Sequence, residues 1–312
     1  MTLNLYRQVF IATCSRNIAS NIKQLSQLLD HLQSLSTAIQ LIIVESDSSD
    51  GTPELLKELA ARYSFLRVIS LGNLELTIPS RTERIAYCRN TYLSFIVSEM
   101  VDPDRSLVIV FDSDGILSGY FIKNFSNCIN SSLSRLNGLN WISCSGVTSP
   151  FYYDIYALRA PYWSTNDCLA SMHSLIDDCC YEKEFSYRLS IRMRQLCLTE
   201  TTKLIPVQSA FNGLCMYPGF AIKDSRYSGL DPDGNNICEH VPFNLQITSL
   251  NEGCFHYIDP NFVIGDTPLT YSSNSCGKEM LWYAKNFLRN VNLGRRVRLY
   301  LKSKLYPLTP TS

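Results

Sequence analysis

Two aspartates two residues apart, Asp112-Ser113-Asp114, follow directly on the apolar run Leu107-Val-Ile-Val-Phe111. Carboxylates so placed suit a hard divalent cation. Magnesium or manganese takes one or two carboxylates and leaves room for substrate phosphate oxygens. Held there, the cation would neutralise a diphosphate leaving group. Turns are also rich in aspartate for conformational reasons, so the pair alone does not specify a metal. A second acidic cluster, Glu45-Ser-Asp47 and the residues to Thr52, ends another apolar run, Gln40-Leu-Ile-Ile-Val44. Between the two clusters stand Arg84, Arg89 and Asn90. A guanidinium fork suits either a diphosphate or a carboxylate that must be held in place. Far downstream, Glu239-His240 lies among apolar residues. A glutamate in such a segment can accept the proton of a substrate hydroxyl, which makes Glu239 a candidate base. His240 can complete a metal shell or donate to phosphate. A partly buried, locally hydrogen-bonded pair is the alternative for both. His256, between Phe255 and Tyr257, reads as a satisfied core histidine.

The elements that must position these groups alternate. Val9–Cys14, Gln40–Val44, Leu66–Leu71 and Leu107–Phe111 are apolar runs of strand length. Between them lie helical patterns over 18–35, from Pro53 to about Tyr63, and over about 80–101. Such alternation predicts an α/β domain with a mostly parallel sheet. Ligands of such sheets bind beyond the carboxyl ends of the strands, where both acidic clusters fall. The second half is less regular. Strands are expected at Trp141–Val147, Tyr152–Leu158, Gly213–Ile222 and Cys254–Ile258, with helix over about 167–198. No linker or repeat divides the chain, and a single domain is expected.

The 312 residues are 46% apolar and 18% charged, a globular composition that excludes disordered, collagen-like and disulfide-miniprotein classes. Lys and Arg together number 28 and so do Asp and Glu, so net charge gives no reason to expect nucleic acid. After Glu279, however, come seven basic residues and no acidic one. The twelve cysteines form no C-x-x-C pair and read as reduced core thiols. Met1–Cys14 lacks the pattern of a cleaved leader, and no window reaches 18 apolar residues. A cytoplasmic protein is the expectation.

Val44-Glu-Ser-Asp-Ser-Ser-Asp-Gly-Thr52, Arg84-Ile-Ala-Tyr-Cys-Arg-Asn90 and Phe111-Asp-Ser-Asp114 resemble, in order and separation, the donor-site motifs of GT-A-fold glycosyltransferases. Tyr153-Asp-Ile-Tyr-Ala-Leu-Arg159, Asn212-Gly-Leu-Cys-Met-Tyr217 and Cys238-Glu-His-Val-Pro-Phe-Asn244 are similar to a group that includes fungal capsular α-mannosyltransferases and related bacterial and viral enzymes. The resemblance implies a GT-A-like domain over 1–280, with a nucleotide-sugar half at 1–118 and an acceptor half at 119–280. It also implies a divalent cation, manganese or magnesium, on Asp112 and Asp114, and a nucleoside diphosphate sugar as donor, mannose favoured. Glu45 and Asp47 would then meet ribose or base, with a solvated turn as the alternative. Arg84, Arg89, Asn90, Ser113, Asn212 and His240 would line the donor, and Asp154 and Trp163 the glycan acceptor. If Glu239 faces the leaving group the anomeric centre inverts; without a carboxylate there, retention is expected.

Two other readings stand beside this one. Val108-Ile-Val-Phe-Asp-Ser-Asp-Gly-Ile-Leu117 also resembles the first motif of haloacid-dehalogenase-type phosphatases, with Asp112 as nucleophile. Against that, about 107 residues precede the motif, Ile116 replaces the usual Thr, and Thr270 stands where a second late Asp is expected after Asp266. A catalytically silent sugar- or nucleotide-binding scaffold is the non-enzyme reading. Residues 281–312 form a basic tail with leucines interleaved. It suits peripheral contact with an anionic membrane, or a solvated helix docked on the domain.

Overall fold

The structure is a computed structural model and describes residues 2–35, 38–114, 118–148, 152–196, 198 and 203–265. The 281–312 tail, Asp266 and Thr270 lie outside the described residues. In chain order the elements are β1 (Gln8–Ser15), α1 (Ile22–Gln33), β2 (Ile39–Glu45), α2 (Thr52–Arg62), β3 (Leu66–Ser70), α3 (Arg81–Glu99), β4 (Ser106–Phe111), α4 (Gly119–Leu136) and β5 (Trp141–Val147). Then follow α5 (Cys168–Asp177), α6 (Lys183–Ser190), β6 (Ile205–Val207), β7 (Leu214–Pro218), α7 (Gly219–Ile222), α8 (His240–Leu250) and β8 (Phe255–Val263).

All eight strands join one sheet in the order β3-β2-β1-β4-β7-β5-β8-β6. β1 to β4 are mutually parallel, β7 runs antiparallel to both β4 and β5, β8 is parallel to β5, and β6 runs against β8. The expected α/β architecture with a mostly parallel sheet therefore holds. Its central strands are buried on both faces: every residue of β4 and β5 is buried. One face carries Ile11, Leu41, Ile43 and Ile109 against Leu25, Leu28 and Leu29 of α1 and Phe125 and Ile129 of α4. The other carries Phe10, Ile42, Val44 and Val108 against Ala86, Tyr92, Leu93 and Ile96 of α3 and Val241, Phe243 and Ile247 of α8. The buried leucines of α1 recur at helical spacing, so that helix forms because one face can be hidden.

Several expectations for the second half are corrected. Tyr152–Leu158 is irregular rather than a strand, because its backbone serves a side-chain network described below. The helix expected over 167–198 divides into α5 and α6, with Cys180 between them at a positive φ of 55°. β7 ends at Pro218, where a short helix takes over. Neither α4 nor α8 was expected. α8 buries His240 and Asn244 on its packed face and exposes Leu245 and Leu250 on the other, which erases the amphipathic stripe that marks a surface helix.

Candidate active site

β1, β2 and β4 end on the same edge of the sheet. Cys14 and Ser15 leave β1 there, Ser46 and Asp47 follow β2, and Asp112, Ser113 and Asp114 follow β4. Antiparallel β7 begins at that edge, and the Asp112 N–H donates to the Gly213 carbonyl (2.8 Å). A cleft of about 280 Å³ opens above these ends. It is roofed by Arg81, Arg84, Ile85, Cys88 and Arg89 of α3, and closed by Tyr153, Asp154, Tyr156, Phe211, Cys238, Glu239 and His240. Ser80 starts α3 by accepting the Glu83 N–H (3.4 Å), as an N-cap does. The loop that delivers Glu239 packs hard onto that helix start. A Cβ on Gly229 would lie 2.2 Å from the Thr82 backbone, so only glycine fits. Ser80 and Thr82 hydroxyls both donate to the Asn236 side chain (2.8 and 3.0 Å).

Arg89 organises the cleft. Its Nε donates to Glu239 Oε1 (2.7 Å), one terminal nitrogen donates to Asp112 Oδ1 (3.2 Å), and the other to the Tyr92 hydroxyl (3.2 Å). The guanidinium also lies 5.0 Å from the centre of the Phe211 ring and 5.8 Å from that of Tyr227. Burial opposes its charge, but Tyr92, Glu239 and Asp112 more than restore it. Three parts of the chain, 150 residues apart at the extremes, are thus tied by one buried cation.

The Asp112 carboxyl is pushed up to about 7 by its depth in the cleft. Arg89 opposes that rise, and Asp114, Asp154 and Glu239 add to it. Such crowding of carboxylates is what a divalent cation would relieve. Asp114 is exposed, and its carboxylate makes no hydrogen bond or ion pair among the described residues. Two carboxylates make an open site that suits magnesium or manganese with phosphate oxygens completing the shell. Among the described residues no group of three or more His, Cys, Asp or Glu is placed to hold a metal alone.

His240 lies flat on Phe211, with ring centres 3.7 Å apart, and is 1% exposed. Neither ring nitrogen has a hydrogen-bond partner among the described residues. Nε2 stands 3.6 Å from Glu239 Oε1. Burial and the nearby Arg89 hold the imidazole well below its ordinary value, so it is neutral. A buried, neutral, unpartnered imidazole on a cleft wall is a polar group that folding has left unsatisfied. Asp154 is held by the backbone N–H groups of Ala157 and Asn212 (both 3.2 Å). Burial pushes its carboxyl up to about 6, against those two hydrogen bonds.

The structure brings Asp47, Arg84, Arg89, Asp112, Ser113, Asp114, Asp154, Glu239 and His240 to one cleft. Four other expected residues do not line it. Glu45 is buried, accepting from the Ser48 N–H (3.2 Å) and the Ser70 hydroxyl (2.5 Å), so it shapes the β2 turn. Asn90 clamps the Tyr227 backbone through both halves of its amide (2.9 Å each). Asn212, at a left-handed φ of 55°, accepts from the Tyr153 and Asp154 N–H groups and donates to the Gly146 carbonyl. Trp163 donates to the Arg194 carbonyl (2.6 Å) and packs edge-on against Tyr152, away from the cleft. Among the residues that do line it, two have much of their side chain engaged. The Asp47 carboxylate, at a positive φ of 59°, accepts the Glu75 N–H (2.8 Å) beside Arg84. Arg84 donates to the Ile78 and Pro79 carbonyls. Tyr153 and Tyr156, in the Tyr153–Arg159 motif, also line the cleft; Arg16 and Phe211 line it too and were missed, since no local pattern distinguishes them from turn or core residues.

No protein-family model matches the chain, and no curated protein matches it. Solved structures are similar to it. They include the mannosyltransferase PcManGT from Pyrobaculum calidifontis in complex with GDP-Man and Mn2+ (13% identity, TM-score 0.45, covering 87% of this chain and 59% of that one). Residues 1–349 of S. aureus TarS match at 12% identity and TM-score 0.40, over 84% and 59%. Glucosyl-3-phosphoglycerate synthase from Mycobacterium tuberculosis, in complex with Mn2+, UDP and phosphoglyceric acid, matches at 11% and 0.40, over 91% and 78%. The chain thus spans 59% of the length of the first two. Each is a structure that this chain is similar to.

Proposed function

We propose that this chain is a metal-dependent glycosyltransferase of GT-A-like fold that moves a hexose, mannose favoured, from a nucleoside diphosphate sugar to a glycan hydroxyl. The single observation that carries the reading is the convergence of Asp112, Ser113, Asp114, Arg89, Asp154, Glu239 and His240 on one cleft at the carboxyl edge of the sheet. Asp112 and Asp114 would hold the cation, which when bound supplies a positive centre for the diphosphate. Arg89 fixes the Asp112 carboxylate and bridges it to Glu239. Asp47 and Arg84 bound the nucleotide end. Glu239 has one oxygen on Arg89, which leaves the other for an acceptor hydroxyl. Asp154 offers a second carboxylate on the same wall. Tyr153, which is exposed, and Tyr156 supply the aromatic faces that sugars pack on.

Thermal stabilisation by a panel of nucleotide-sugars with manganese tests the reading, since a ligand of the native state raises Tm by mass action. A selective rise with one donor, followed by its metal-dependent hydrolysis or transfer, is expected. Cleavage of an aryl phosphate with magnesium, and no response to any nucleotide-sugar, would replace it with the phosphatase reading. Stabilisation without turnover of any donor would leave a binding scaffold.

A further inference from the structure

Five carboxylates line the cleft, Asp47, Asp112, Asp114, Asp154 and Glu239, and their hydrogen bonds set one apart from the rest. Asp112 and Asp114 are placed for the cation. Asp47 has almost no exposed side chain, accepts the Glu75 N–H (2.8 Å) and lies 3.9 Å from Arg84. Glu239 is buried, and its Oε1 accepts from the Arg89 Nε (2.7 Å). A proton on Glu239 would strip that buried cation of one of its two carboxylates, a costly change away from water. Asp154 differs on each count. It is half-buried and opens on the cleft, and no ion pair holds it among the described residues. Its oxygens accept only from backbone N–H groups, Ala157 on Oδ1 and Asn212 on Oδ2 (3.2 Å each), so each keeps a lone pair free. Asn212 is fully buried, and its side-chain oxygen accepts the N–H groups of Tyr153 and Asp154 (3.0 and 3.2 Å). Asp154 is therefore held through main chain and side chain alike, and its carboxylate is fixed before any ligand arrives.

We propose that Asp154 is the catalytic base of the transfer, the part that the sequence suggested for Glu239, and that Glu239 only accepts a hydrogen bond from the acceptor. The assignment rests on the glycosyltransferase reading. An Asp154 oxygen takes the proton of the attacking hydroxyl, and the hydroxyl oxygen bonds to the anomeric carbon. The bond from that carbon to the diphosphate oxygen breaks, and its electron pair leaves with the diphosphate. The negative charge of the carboxylate thus passes to the departing group, and the carboxyl group later returns its proton to water. The surroundings suit that exchange. Burial raises the Asp154 carboxyl to about 6 against its two hydrogen bonds, and Glu239 adds to the rise. A group so placed can take a proton and still release it near neutral pH.

The test uses the full chain with manganese and, in turn, GDP-mannose and UDP-glucose. Water serves as the acceptor, and release of GDP or UDP is the readout. Asp154→Asn keeps an oxygen for one of the two backbone N–H groups and removes the base. Its release rate is expected to fall at least about 100-fold. Its Tm rise with manganese plus GDP or UDP should match that of the wild type, because the donor site is intact. Azide separates a base from a structural residue. It attacks the anomeric carbon with no proton to lose, so it should restore release in Asp154→Asn and in the roomier Asp154→Ala, with a glycosyl azide found by mass spectrometry. A release rate unchanged in Asp154→Asn overturns the base and returns the part to Glu239. A loss that azide restores in neither variant, or that comes with loss of the Tm rise, marks a structural role and overturns it equally. A wild type that releases neither nucleotide overturns the glycosyltransferase reading, and the base falls with it; a wild type that does, beside an unimpaired Asp154→Asn, overturns the base alone.

Discussion

His240 and His256 stand within one helix and one strand of each other, each 1% exposed and each held neutral by burial, yet their surroundings are opposite. His256 is satisfied on both sides: Nδ1 pairs with the Ser143 hydroxyl (2.6 Å), and Nε2 with the Thr248 hydroxyl (2.9 Å) and the Asn244 carbonyl (3.0 Å). It joins β5, α8 and β8 and is a structural group. His240, at the start of the same α8, has two unpartnered nitrogens and a cleft in front of it. Desolvation alone therefore marks neither as functional. What separates them is whether the polar atoms that folding removed from water were given partners inside the protein.

The cleft region also differs from the core in how it keeps charge. The hub at Arg89 buries a cation between two carboxylates, and removing it would leave both without compensation. Arg89→Met is accordingly expected to show the largest effect, a loss of about 3–5 kcal/mol in urea unfolding together with the nucleotide response. Unchanged stability would mean that Asp112 and Glu239 do not depend on Arg89.

A pH series sharpens the contrast next. The folded His256 is depressed to about 4, from an ordinary 6.5. Its contribution is complete above 6.5, because both states are then neutral. It is lost as pH falls toward 4, because the unfolded chain takes the proton first, and the full loss is about 3 kcal/mol. The difference in unfolding free energy between the wild type and His256→Gln should therefore shrink from pH 7 to pH 4.5. A constant difference would remove His256 from the acid response.

Paired substitutions then probe the two rings directly. His256→Phe leaves the Ser143 and Thr248 hydroxyls unpaired and should cost about 1–3 kcal/mol at pH 7. His240→Phe leaves no partner stranded and keeps the stack on Phe211. Its stability should change little while the Tm rise with manganese and a nucleotide shrinks. Equal losses from the two would erase the distinction between them. The smallest structural effects are expected at Asp114 and Trp163. Asp114→Asn, at an exposed position, should stay within about 0.5 kcal/mol of the wild type yet abolish the response to manganese. Trp163→Phe removes one hydrogen bond, about 1 kcal/mol, and should leave ligand binding intact; loss of binding would return Trp163 to the acceptor site.

Local pattern was a good guide wherever a residue's role is set by its immediate neighbours in the chain. The runs at Phe10–Ala12, Leu41–Val44 and Val108–Phe111 had to be buried on two faces, and the strand ends had to carry Asp47 and Asp112 to one edge. It was a poor guide for Tyr152–Leu158, whose apolar residues look like a strand. Its backbone amides at 153 and 154 instead go to Asn212, nearly sixty residues later. For the same reason Asn90 and Glu45 read as ligand contacts until their long-range partners, Tyr227 and Ser70, are known.

The sequence by itself determined the alternation of elements, the parallel sheet at the heart of the chain and the acidic edge beyond it, because periodicity and turn chemistry act over a few residues. Only the tertiary structure decided that Arg89 would bridge Asp112 to Glu239 and that one buried histidine would be satisfied while the other lined a cleft. Those outcomes depend on which side chains meet once segments as much as 150 positions apart have folded together. Spacing along a strand or helix carries no record of that.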